Sequence, residues 1–230
     1  MSLSKNTYRG YIGITTTSPG VFGIDETFKP AVEYVNSSGN VVNNGTSASF
    51  SIPSGIQAGD LILAMIAGGN LGTPSLTGTD AANFTTDTST SSHFIAYKYA
   101  DGTESARTLT ANASVSGRWG YLYFVCRNGV WGPSVDKDFL TNINPSSNPT
   151  VSQTVAYDGG ILVGLFGGDT NSPDVFVPSQ YTELFRLSIS DADATAGYEL
   201  IPAAGTYNRQ WTSSASRTIN GYINLAISNR

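Results

Sequence analysis

Only a few side chains in this sequence could carry acid–base or nucleophilic chemistry. His93 is the one histidine and Cys126 the one cysteine among the 230 residues. A Ser-His-Asp triad would therefore need His93, and the His and Cys sets that hold tetrahedral zinc are excluded by count. His93 follows Ser91 and Ser92 at a predicted strand start, which favours a polar turn histidine. The apolar neighbours of Cys126 predict a buried strand thiol.

Pairs of carboxylates offer a second chemistry, glycoside hydrolysis, which needs one protonated and one ionised carboxyl group facing each other across the scissile bond. The candidate pairs are Asp169 with Asp174 and Asp191 with Asp193. In both pairs the simpler interpretation is that each aspartate caps its own turn. The segment Asp169–Asp174 also offers oxygen ligands for calcium, but it lacks the bidentate Glu and the tight-turn Gly of an EF-hand. We expect no catalytic residue, no cofactor and no metal site, and calcium at this segment stays an open alternative.

Trp131 is the aromatic residue best placed to contact a ligand. It lies in the turn-rich segment Asn128–Pro133, whereas Trp119 stands in the middle of a predicted strand and is expected in the core. An indole presents a large apolar face with a polar N–H at its edge, and such a face packs well on the C–H face of a pyranose ring. Trp131 therefore either contacts a glycan or anchors its own loop.

The elements that must position these residues are marked by an apolar run that occurs twice. Residues 59–69 read GDLILAMIAGG, and residues 158–169 read DGGILVGLFGGD. Each run has an acidic or glycine turn, a mostly apolar stretch and a glycine exit, which predicts a buried strand covered on both faces. Because the runs lie about a hundred residues apart, they predict two sheets, or two halves of one sheet, that face each other.

The composition favours strands throughout. Charged residues make up only 13% of the chain and hydrophobic residues 40%, while β-branched and aromatic residues are frequent and typical helix formers are scarce. From Ala31 onward, strand and turn signals alternate at the spacing of a sandwich. We predict an all-β fold: a two-sheet antiparallel β-sandwich, jelly-roll-like, with about ten strands in residues 31–230 and an extended N-terminal arm in residues 1–30.

Several strand assignments can be made within this domain. A short strand at Val32–Val35 is predicted to end in a turn at Asn36–Asn40. The strand Phe94–Tyr99 is expected to pair with Ala106–Leu109 beyond an Asp-Gly turn. Arg118–Cys126 is predicted to be a long strand with its tryptophan and tyrosines on one face, and both of its faces are expected to be covered.

Residues 1–30 contain short apolar islands between glycines and too few apolar residues to form a core. Such a segment either packs on the main domain or extends as an arm onto a neighbouring subunit, and we predict the arm. Bare sandwich edges invite uncontrolled pairing, so closed symmetric association is expected, with a trimeric homo-oligomer as the first prediction. The expected assembly contacts of the arm are Tyr8, Tyr11, Val21, Phe22 and Ile24.

The charge and hydropathy of the sequence limit the classes of partner that we expect. The formal charge is −5 and the pI is near 4.7, so the phosphate-neutralising term that dominates nucleic-acid affinity is missing, and nucleic acid is not an expected partner. The N-terminus lacks the basic start and apolar stretch of a secretory signal, and the sequence has no window of about 18 apolar residues. We expect a protein made without a signal peptide and without membrane insertion.

The order of several motifs resembles that of a known family. The motifs are residues 51–63, Ala96–Glu104, Trp119–Arg127 and the second apolar run. Together they resemble the jelly-roll modules of tailed-bacteriophage virion proteins, and the resemblance covers residues 45–230. The segment Gly20–Glu26 is similar to a Gly-Val-Trp-Ser-Leu type segment of phage structural proteins, with Phe22 where Trp is usual.

This resemblance implies a function based on contact. The expected protein is a non-enzymatic, multi-copy component of the virion, a surface-exposed head decoration or tail protein. It would be made in the host cytoplasm and would dock onto other capsid or tail proteins through its N-terminal arm. The resemblance brings no catalytic residues. The alternative is a carbohydrate-binding module of a tail fibre that binds a host glycan through Trp131.

Overall fold

The structure is a computed structural model that describes residues 29–141, 148–169, 175–213 and 219–229. The described residues form β-strands and two short 3-10 helices, with no α-helix among them, which confirms the all-β prediction. None of their helices is long and apolar enough to cross a membrane. The predicted arm contacts Tyr8, Tyr11, Val21, Phe22 and Ile24 lie outside the described residues, as do residues 170–174 of the calcium candidate.

The strands follow one another along the chain with few long connections. They are β1 (Glu33–Ser49), β2 (Leu61–Gly68), β3 (Ser75–Thr77), β4 (Thr85–Ser89), β5 (His93–Tyr99), β6 (Thr110–Arg127), β7 (Asp136–Thr141), β8 (Thr150–Val155), β9 (Gly160–Asp169), β10 (Val175–Phe176), β11 (Thr182–Ile189), β12 (Ala192–Ile201), β13 (Gly205–Gln210), β14 (Thr212–Ser213) and β15 (Ile219–Ile227). The 3-10 helices are Ala81–Asn83 and Glu104–Ala106.

Two antiparallel sheets form the body of the sandwich, one from each half of the chain. The first sheet has the order β1-β6-β2-β5-β4, with β3 pairing to β6, and the second has the order β11-β12-β9-β15-β7. The two apolar runs of the sequence are β2 and β9, and each is the central strand of its sheet. The prediction that these runs face each other from two sheets is therefore confirmed.

The two halves of the chain share one topology. Read from β7, the second sheet runs β7-β15-β9-β12-β11, which repeats β1-β6-β2-β5-β4 strand for strand. The pairing register repeats too, because Leu61 is aligned with Tyr99 and Cys126, whereas Ile161 is aligned with Leu200 and Ile227. These equivalent positions differ by 161 − 61 = 100, 200 − 99 = 101 and 227 − 126 = 101 residues.

Even an irregularity of pairing recurs in both halves. The β4–β5 pair has a register shift between Thr86 and Thr88, and the β11–β12 pair has one between Glu183 and Phe185. In each half the shift follows the second aligned pair of the ladder. A β-bulge places one extra residue on one strand and bends it, so it is a specific feature of a fold. The shared bulge strengthens the equivalence of the two halves.

The main core lies between the two sheets, and alternation along each central strand fills it. Leu61, Leu63 and Met65 of β2 pack in one cluster with Val163 and Leu165 of β9. The intervening residues of β2 face away and are covered by the segments that connect the strands of the first sheet.

The outward face of the second sheet is covered by two additional strand pairs, β8–β13 and β10–β14. The protein is thus built in four layers, with apolar clusters on both faces of each main sheet.

The long aromatic strand predicted at Arg118–Cys126 is part of β6. Trp119, Tyr121 and Tyr123 share its outward face, while Leu122 and Phe124 face the main core, which confirms that assignment and the buried position of Trp119. Cys126 is fully buried beside Phe124, and burial raises the pKa of its thiol.

Two local predictions are wrong. Asn36–Asn40 is not a turn, because β1 runs on through these residues and pairs with β6, for example Ser38 with Tyr123. The pairing supplies the backbone hydrogen bonds that the polar side chains would otherwise provide in a turn. The expected partner of β5, Ala106–Leu109, is also wrong, since β5 lies between β2 and β4. The apolar strand β2, although distant in the sequence, pairs with β5 in preference to the short segment that follows β5.

At one end of the sandwich the two sheets touch through glycine backbones. A Cβ on Gly167 of β9 would collide with the Ala67 carbonyl oxygen and the Gly120 nitrogen, both in the first sheet. A Cβ on Gly221 of β15 would lie 2.8 Å from the Ser92 carbonyl oxygen. Gly120 and Gly221 are equivalent positions of the two halves, since 221 − 120 = 101, and they align with Ala67 of β2 and Gly167 of β9. We call Gly120, Gly167 and Gly221 the glycine junction.

Candidate functional site

Trp131 lies between the edges of the two sheets. Its indole ring stacks on Tyr97 of β5, with ring centroids 4.9 Å apart, and its Nε1 donates a hydrogen bond to Oδ1 of Asp87 on β4 at 3.3 Å. Lys137 of β7 places its Nζ 5.3 Å from the Trp131 ring centroid and 2.8 Å from Oδ1 of Asp87. Trp131 therefore joins β4 and β5 of the first sheet to β7 of the second.

These contacts favour the interpretation in which Trp131 anchors its own loop. The Trp131 side chain is half-buried, and its backbone N–H donates to the Tyr99 hydroxyl at 3.0 Å. Burial alone would raise the pKa of Asp87, but hydrogen bonds from Lys137, Thr88 and Trp131 outweigh burial and lower it. Asp87 is thus held ionised, and its carboxylate contacts both the Lys137 ammonium group and the Trp131 indole. The contact of Trp131 with a glycan stays a prediction.

His93 is a buried strand residue, so its assignment to a polar turn is wrong. It is the first residue of β5 and is 4% exposed. Its Nε2 lies 3.1 Å from the Leu140 carbonyl oxygen, and its ring centroid lies 5.2 Å from that of Phe139. A carbonyl only accepts, so Nε2 carries the proton in this contact. His93 therefore joins β5 to β7, as Trp131 does further along the same edge.

We expect His93 to make folding sensitive to mild acid. Burial lowers its pKa, and the hydrogen bond to Leu140 offsets this only in part. The neutral form stabilises the fold above the unfolded pKa of about 6.5, and this stabilisation is lost as pH falls towards the lower folded pKa. The free energy of unfolding should drop by up to about 1.4 kcal/mol between about pH 7.5 and about pH 5.5, as measured by urea denaturation. In the variant His93→Gln this step should vanish, and an equal step in the variant would contradict the assignment.

The aspartate pairs considered from the sequence lie in different surroundings. Asp191 occupies the turn between β11 and β12, is 50% exposed and accepts a hydrogen bond from Arg118 Nη2 at 2.9 Å. Asp193 is 1% exposed within β12. The carboxyl groups of Asp169 and Asp174 are outside the described part of the chain. Among the residues that are described, no group of three or more His, Cys, Asp or Glu side chains is arranged to hold a metal ion.

A buried ionic cluster lies on the outward face of the first sheet. Lys98 of β5 meets Asp80, which precedes the first 3-10 helix, and Glu104, which begins the second. The three side chains are 3%, 0% and 1% exposed. The Lys98 Nζ lies 2.7 Å from Oδ2 and 2.8 Å from Oδ1 of Asp80 and 3.0 Å from Oε1 of Glu104. One ammonium group is therefore enclosed by two carboxylates in a nearly dry site.

The two oxygens of Asp80 have different surroundings. Oδ1 accepts hydrogen bonds from Lys98 Nζ at 2.8 Å, from Asn83 Nδ2 at 2.9 Å and from Arg107 Nη1 at 3.0 Å. Oδ2 has no hydrogen-bond partner among the described residues, although the Lys98 Nζ is 2.7 Å away, because the angles of that contact are not those of a hydrogen bond. Burial alone would raise the pKa of Asp80, but the hydrogen bonds from Asn83, Lys98 and Arg107 lower it.

Glu104 is fixed independently of Lys98. Its Oε1 accepts the Asp101 N–H at 2.9 Å and its Oε2 accepts the Gly102 N–H at 3.0 Å. The Lys98 Nζ also lies 5.4 Å from the ring centroid of Phe84. Next to the cluster, burial and the negative charges of Asp80 and Glu104 raise the pKa of the Tyr123 hydroxyl. The cluster thus combines two carboxylates and one lysine in an aromatic environment.

The second half of the chain has a different ion pair at the equivalent position. Tyr97 and Tyr198 are equivalent, since 198 − 97 = 101, so Glu199 stands where Lys98 stands in the first half. Arg209 of β13 binds Glu199 through Nε at 2.6 Å and through Nη2 at 2.8 Å. The residue at this strand position is therefore positive in the first half and negative in the second, and only the first half has a lysine there.

The ionic cluster was missed from the sequence, although one signal was present. Lys98 interrupts the apolar strand Phe94–Tyr99 at a residue that has apolar neighbours on both sides. A charged residue in such a position is either exposed or paired. Its partners could not be assigned, because Asp80 and Glu104 lie in loops on opposite sides of β5 in the sequence.

One end of the sandwich combines the start of the described chain with exposed apolar side chains. Asn229 Nδ2 donates to the Pro30 carbonyl oxygen at 3.0 Å, and Asn128 Nδ2 donates to that of Ala31 at 3.0 Å. These two asparagines are equivalent residues of the halves, since 229 − 128 = 101. We call this end, where β2 and β9 begin, the Lys29 end. Its exposed large hydrophobic residues are Tyr99, Tyr157 and Leu200.

The described residues thus contain a Trp131 cluster at the sheet edges, a buried cluster around Lys98 and an apolar surface at the Lys29 end. Tyr99 and Leu200 are 47% and 53% exposed, and they are equivalent residues of the two halves. Trp131 is the only one of the sequence-predicted contact residues that lies in the described part of the chain. No family model, curated protein or solved structure matches this sequence.

Proposed function

We propose that the protein is a non-enzymatic structural component of a bacteriophage particle, a head decoration or tail protein, and that it assembles with copies of itself through the Lys29 end. The observation that carries the proposal is the position of that end. The N-terminal segment joins the sandwich beside Tyr99, Tyr157 and Leu200, which expose apolar side chains there. Subunits that bind one another through an arm need an apolar surface that receives the arm of the neighbouring copy. In this proposal the Lys29 end provides both.

The composition and the resemblance supply the particle context. A weakly charged exterior rich in Ser, Thr, Asn and Gly suits a protein that is surrounded by other copies, and the acidic balance gives no attraction to packaged DNA. The motifs of residues 45–230 resemble virion modules whose role is contact. In addition, the described side chains with the most reactive chemistry, His93 and the cluster around Lys98, are engaged in internal contacts.

The oligomeric state tests this proposal. We expect the full chain to be an oligomer, with a trimer as the first expectation, and a chain that begins at Lys29 to be a folded monomer, because removal of the arm removes its contacts. Light scattering after size-exclusion chromatography measures both masses, and circular dichroism confirms the β fold. Two well-folded monomers would contradict the proposal.

A pair of surface variants then locates the interface. Leu200→Ser should shift the full chain towards monomer, because it places a hydroxyl on the proposed apolar contact. Ile189→Ser is the matched control, since Ile189 is similarly exposed at 49% but lies at the opposite end of the sandwich, beside the glycine junction. Equal effects of the two variants would contradict an interface at the Lys29 end.

The alternative function is carbohydrate binding through Trp131. The observation that supports it is the half-exposed indole beside Asp87 and Lys137. A screen of host glycans with the full chain and with Trp131→Ala separates the two functions. Binding that is lost in the variant would support a receptor-binding module. Binding to none of the glycans, together with oligomer formation, would support the structural role.

A further inference from the structure

We propose that Lys98 and Asp80 form an intramolecular amide bond, with Glu104 as the group that transfers protons. The proposal does not depend on the function proposed above. It concerns a covalent cross-link between β5 and the loop that covers the outward face of the first sheet. The reacting groups are buried, in contact and chemically complementary, as the following geometry shows.

The first requirement is contact between the nucleophile and the electrophile. The Lys98 Nζ is within 2.8 Å of both oxygens of Asp80, so the nitrogen also lies close to the carbon that they share. Reacting groups held in contact avoid the loss of translational and rotational freedom that a reaction in solution requires. Burial at 3% and 0% exposure removes the water that would otherwise solvate the ions and hydrolyse the product.

The second requirement is that one oxygen stays and the other leaves. Asn83 and Arg107 donate to Oδ1, and such donors stabilise the negative charge that develops on a carbonyl oxygen under attack. Oδ2 accepts no hydrogen bond from the described residues, so no hydrogen bond of these residues is broken when Oδ2 leaves. The product amide would keep both donors on Oδ1, and its nitrogen would take the place of Oδ2.

The third requirement is a group that accepts and returns protons. Glu104 Oε1 lies 3.0 Å from the Lys98 Nζ, within the range of direct proton transfer. Backbone N–H groups of Asp101 and Gly102 hold the Glu104 carboxylate in place. Glu104 therefore stays anchored when the ammonium group that it faces becomes a neutral amide.

The reaction is balanced without any further reactant. The ammonium group first rotates one N–H towards Oδ2 of Asp80, which is 2.7 Å from the nitrogen, and gives this proton to it. The transfer converts the ion pair into a neutral amine and a carboxylic acid. The amine lone pair forms a bond to Cγ of Asp80 while Glu104 accepts a second proton from the nitrogen. Glu104 returns this proton to the Oδ2 hydroxyl, the Cγ–Oδ2 bond breaks and one water molecule leaves. The third proton of the ammonium group remains as the amide N–H.

Intact mass spectrometry of the denatured full chain tests the proposal. We expect a mass lower than that of the sequence by one water molecule, whereas Lys98→Arg should have the mass of its own sequence because a guanidinium group is not nucleophilic. Digestion after aromatic residues cuts at Phe84 and separates Asp80 from Lys98. The two segments should then be recovered as one branched peptide. A mixture of masses whose lighter fraction grows on incubation of the folded protein would also support the bond.

Two further variants distinguish the roles of the residues. Glu104→Gln keeps the shape but cannot accept the proton, so its circular dichroism spectrum should match that of the parent while its mass stays that of the sequence. Asp80→Asn should lose ammonia instead of water, because the leaving atom is now nitrogen. Recovery of separate, unmodified peptides from the folded parent protein would overturn the proposal, and so would a cross-link of Lys98 to Glu104.

Discussion

Gly167→Ala should lower the free energy of unfolding by about 3 kcal/mol or more, because one methyl group would have to fit between two sheets that touch there. The added Cβ would collide with the Ala67 carbonyl oxygen and the Gly120 nitrogen. Both are backbone atoms of paired strands, so no side-chain rotation can relieve the collision. Urea denaturation followed by tryptophan fluorescence measures the change.

Gly132→Ala is the matched control for this substitution. No heavy atom of the described residues lies within 4 Å of the Cβ that would be added at Gly132. Alanine restricts the unfolded chain more than glycine does, so a compatible position gains up to about 1 kcal/mol. A loss of stability at Gly167 no larger than the change at Gly132 would show that the sheets do not meet through the glycine junction.

Trp211→Ala should be the second large loss, at about 3–5 kcal/mol, because it empties the centre of the outward core of the second sheet. Trp211 is fully buried, and its ring centroid lies 5.5 Å from that of Tyr222. The indole covers Gly164 of β9, where a Cβ would lie 2.6 Å from Trp211 Cζ2. Urea denaturation at neutral pH again provides the measurement.

A smaller substitution separates packing from hydrogen bonding at the same position. Trp211 Nε1 donates to Oδ1 of Asn224 at 2.9 Å in a buried contact. Trp211→Phe keeps most of the ring volume but leaves that acceptor unpaired, which costs about 1–3 kcal/mol. Trp131→Ala serves as the comparison, because Trp131 is half-buried and should lose less than Trp211→Ala. If the Trp131 variant lost more, the outward core would not have the importance assigned to it.

The equivalence of the two halves explains where these sensitive positions occur. The strands of the main sheets repeat in order, in register and in their bulge, whereas the covering segments differ. The first half covers its outward face with loops that are held by the cluster around Lys98, and the second half uses the β8–β13 and β10–β14 pairs with Trp211. Both halves have a glycine at the glycine junction, Gly120 in the first and Gly221 in the second. The reason is that the two sheets approach each other closely there, and each sheet has to provide backbone without a side chain.

Much of the fold followed from local patterns. The all-β class, the two facing central strands and the two covered faces of β6 could be predicted, because alternation and glycine exits are properties of a few neighbouring residues. The polar residues Asn36–Asn40 misled the prediction, since they are typical of turns. Their place in β1 depends on β6, which lies more than 70 residues further along the chain.

The candidate sites show the same division. Trp131 was recognised by its residue type and its loop, but its contacts with Tyr97, Asp87 and Lys137 come from three separate strands. His93 was placed correctly at a strand start and wrongly in a polar setting, because the strand that buries it, β7, belongs to the other half. The Lys98, Asp80 and Glu104 cluster had only one local signal, the charged residue within an apolar strand.

By itself, the sequence determined the class of this protein, its two central strands and the scarcity of residues that could act in catalysis, because each depends on composition or on short-range periodicity. The tertiary structure alone decided that the two halves are equivalent, that their sheets meet at glycines and that Lys98 lies between two carboxylates. The physical reason is that strand pairing and sheet packing join residues that are far apart in the chain. Which distant segments meet is decided by the free energy of the whole packed structure, and no local pattern records it.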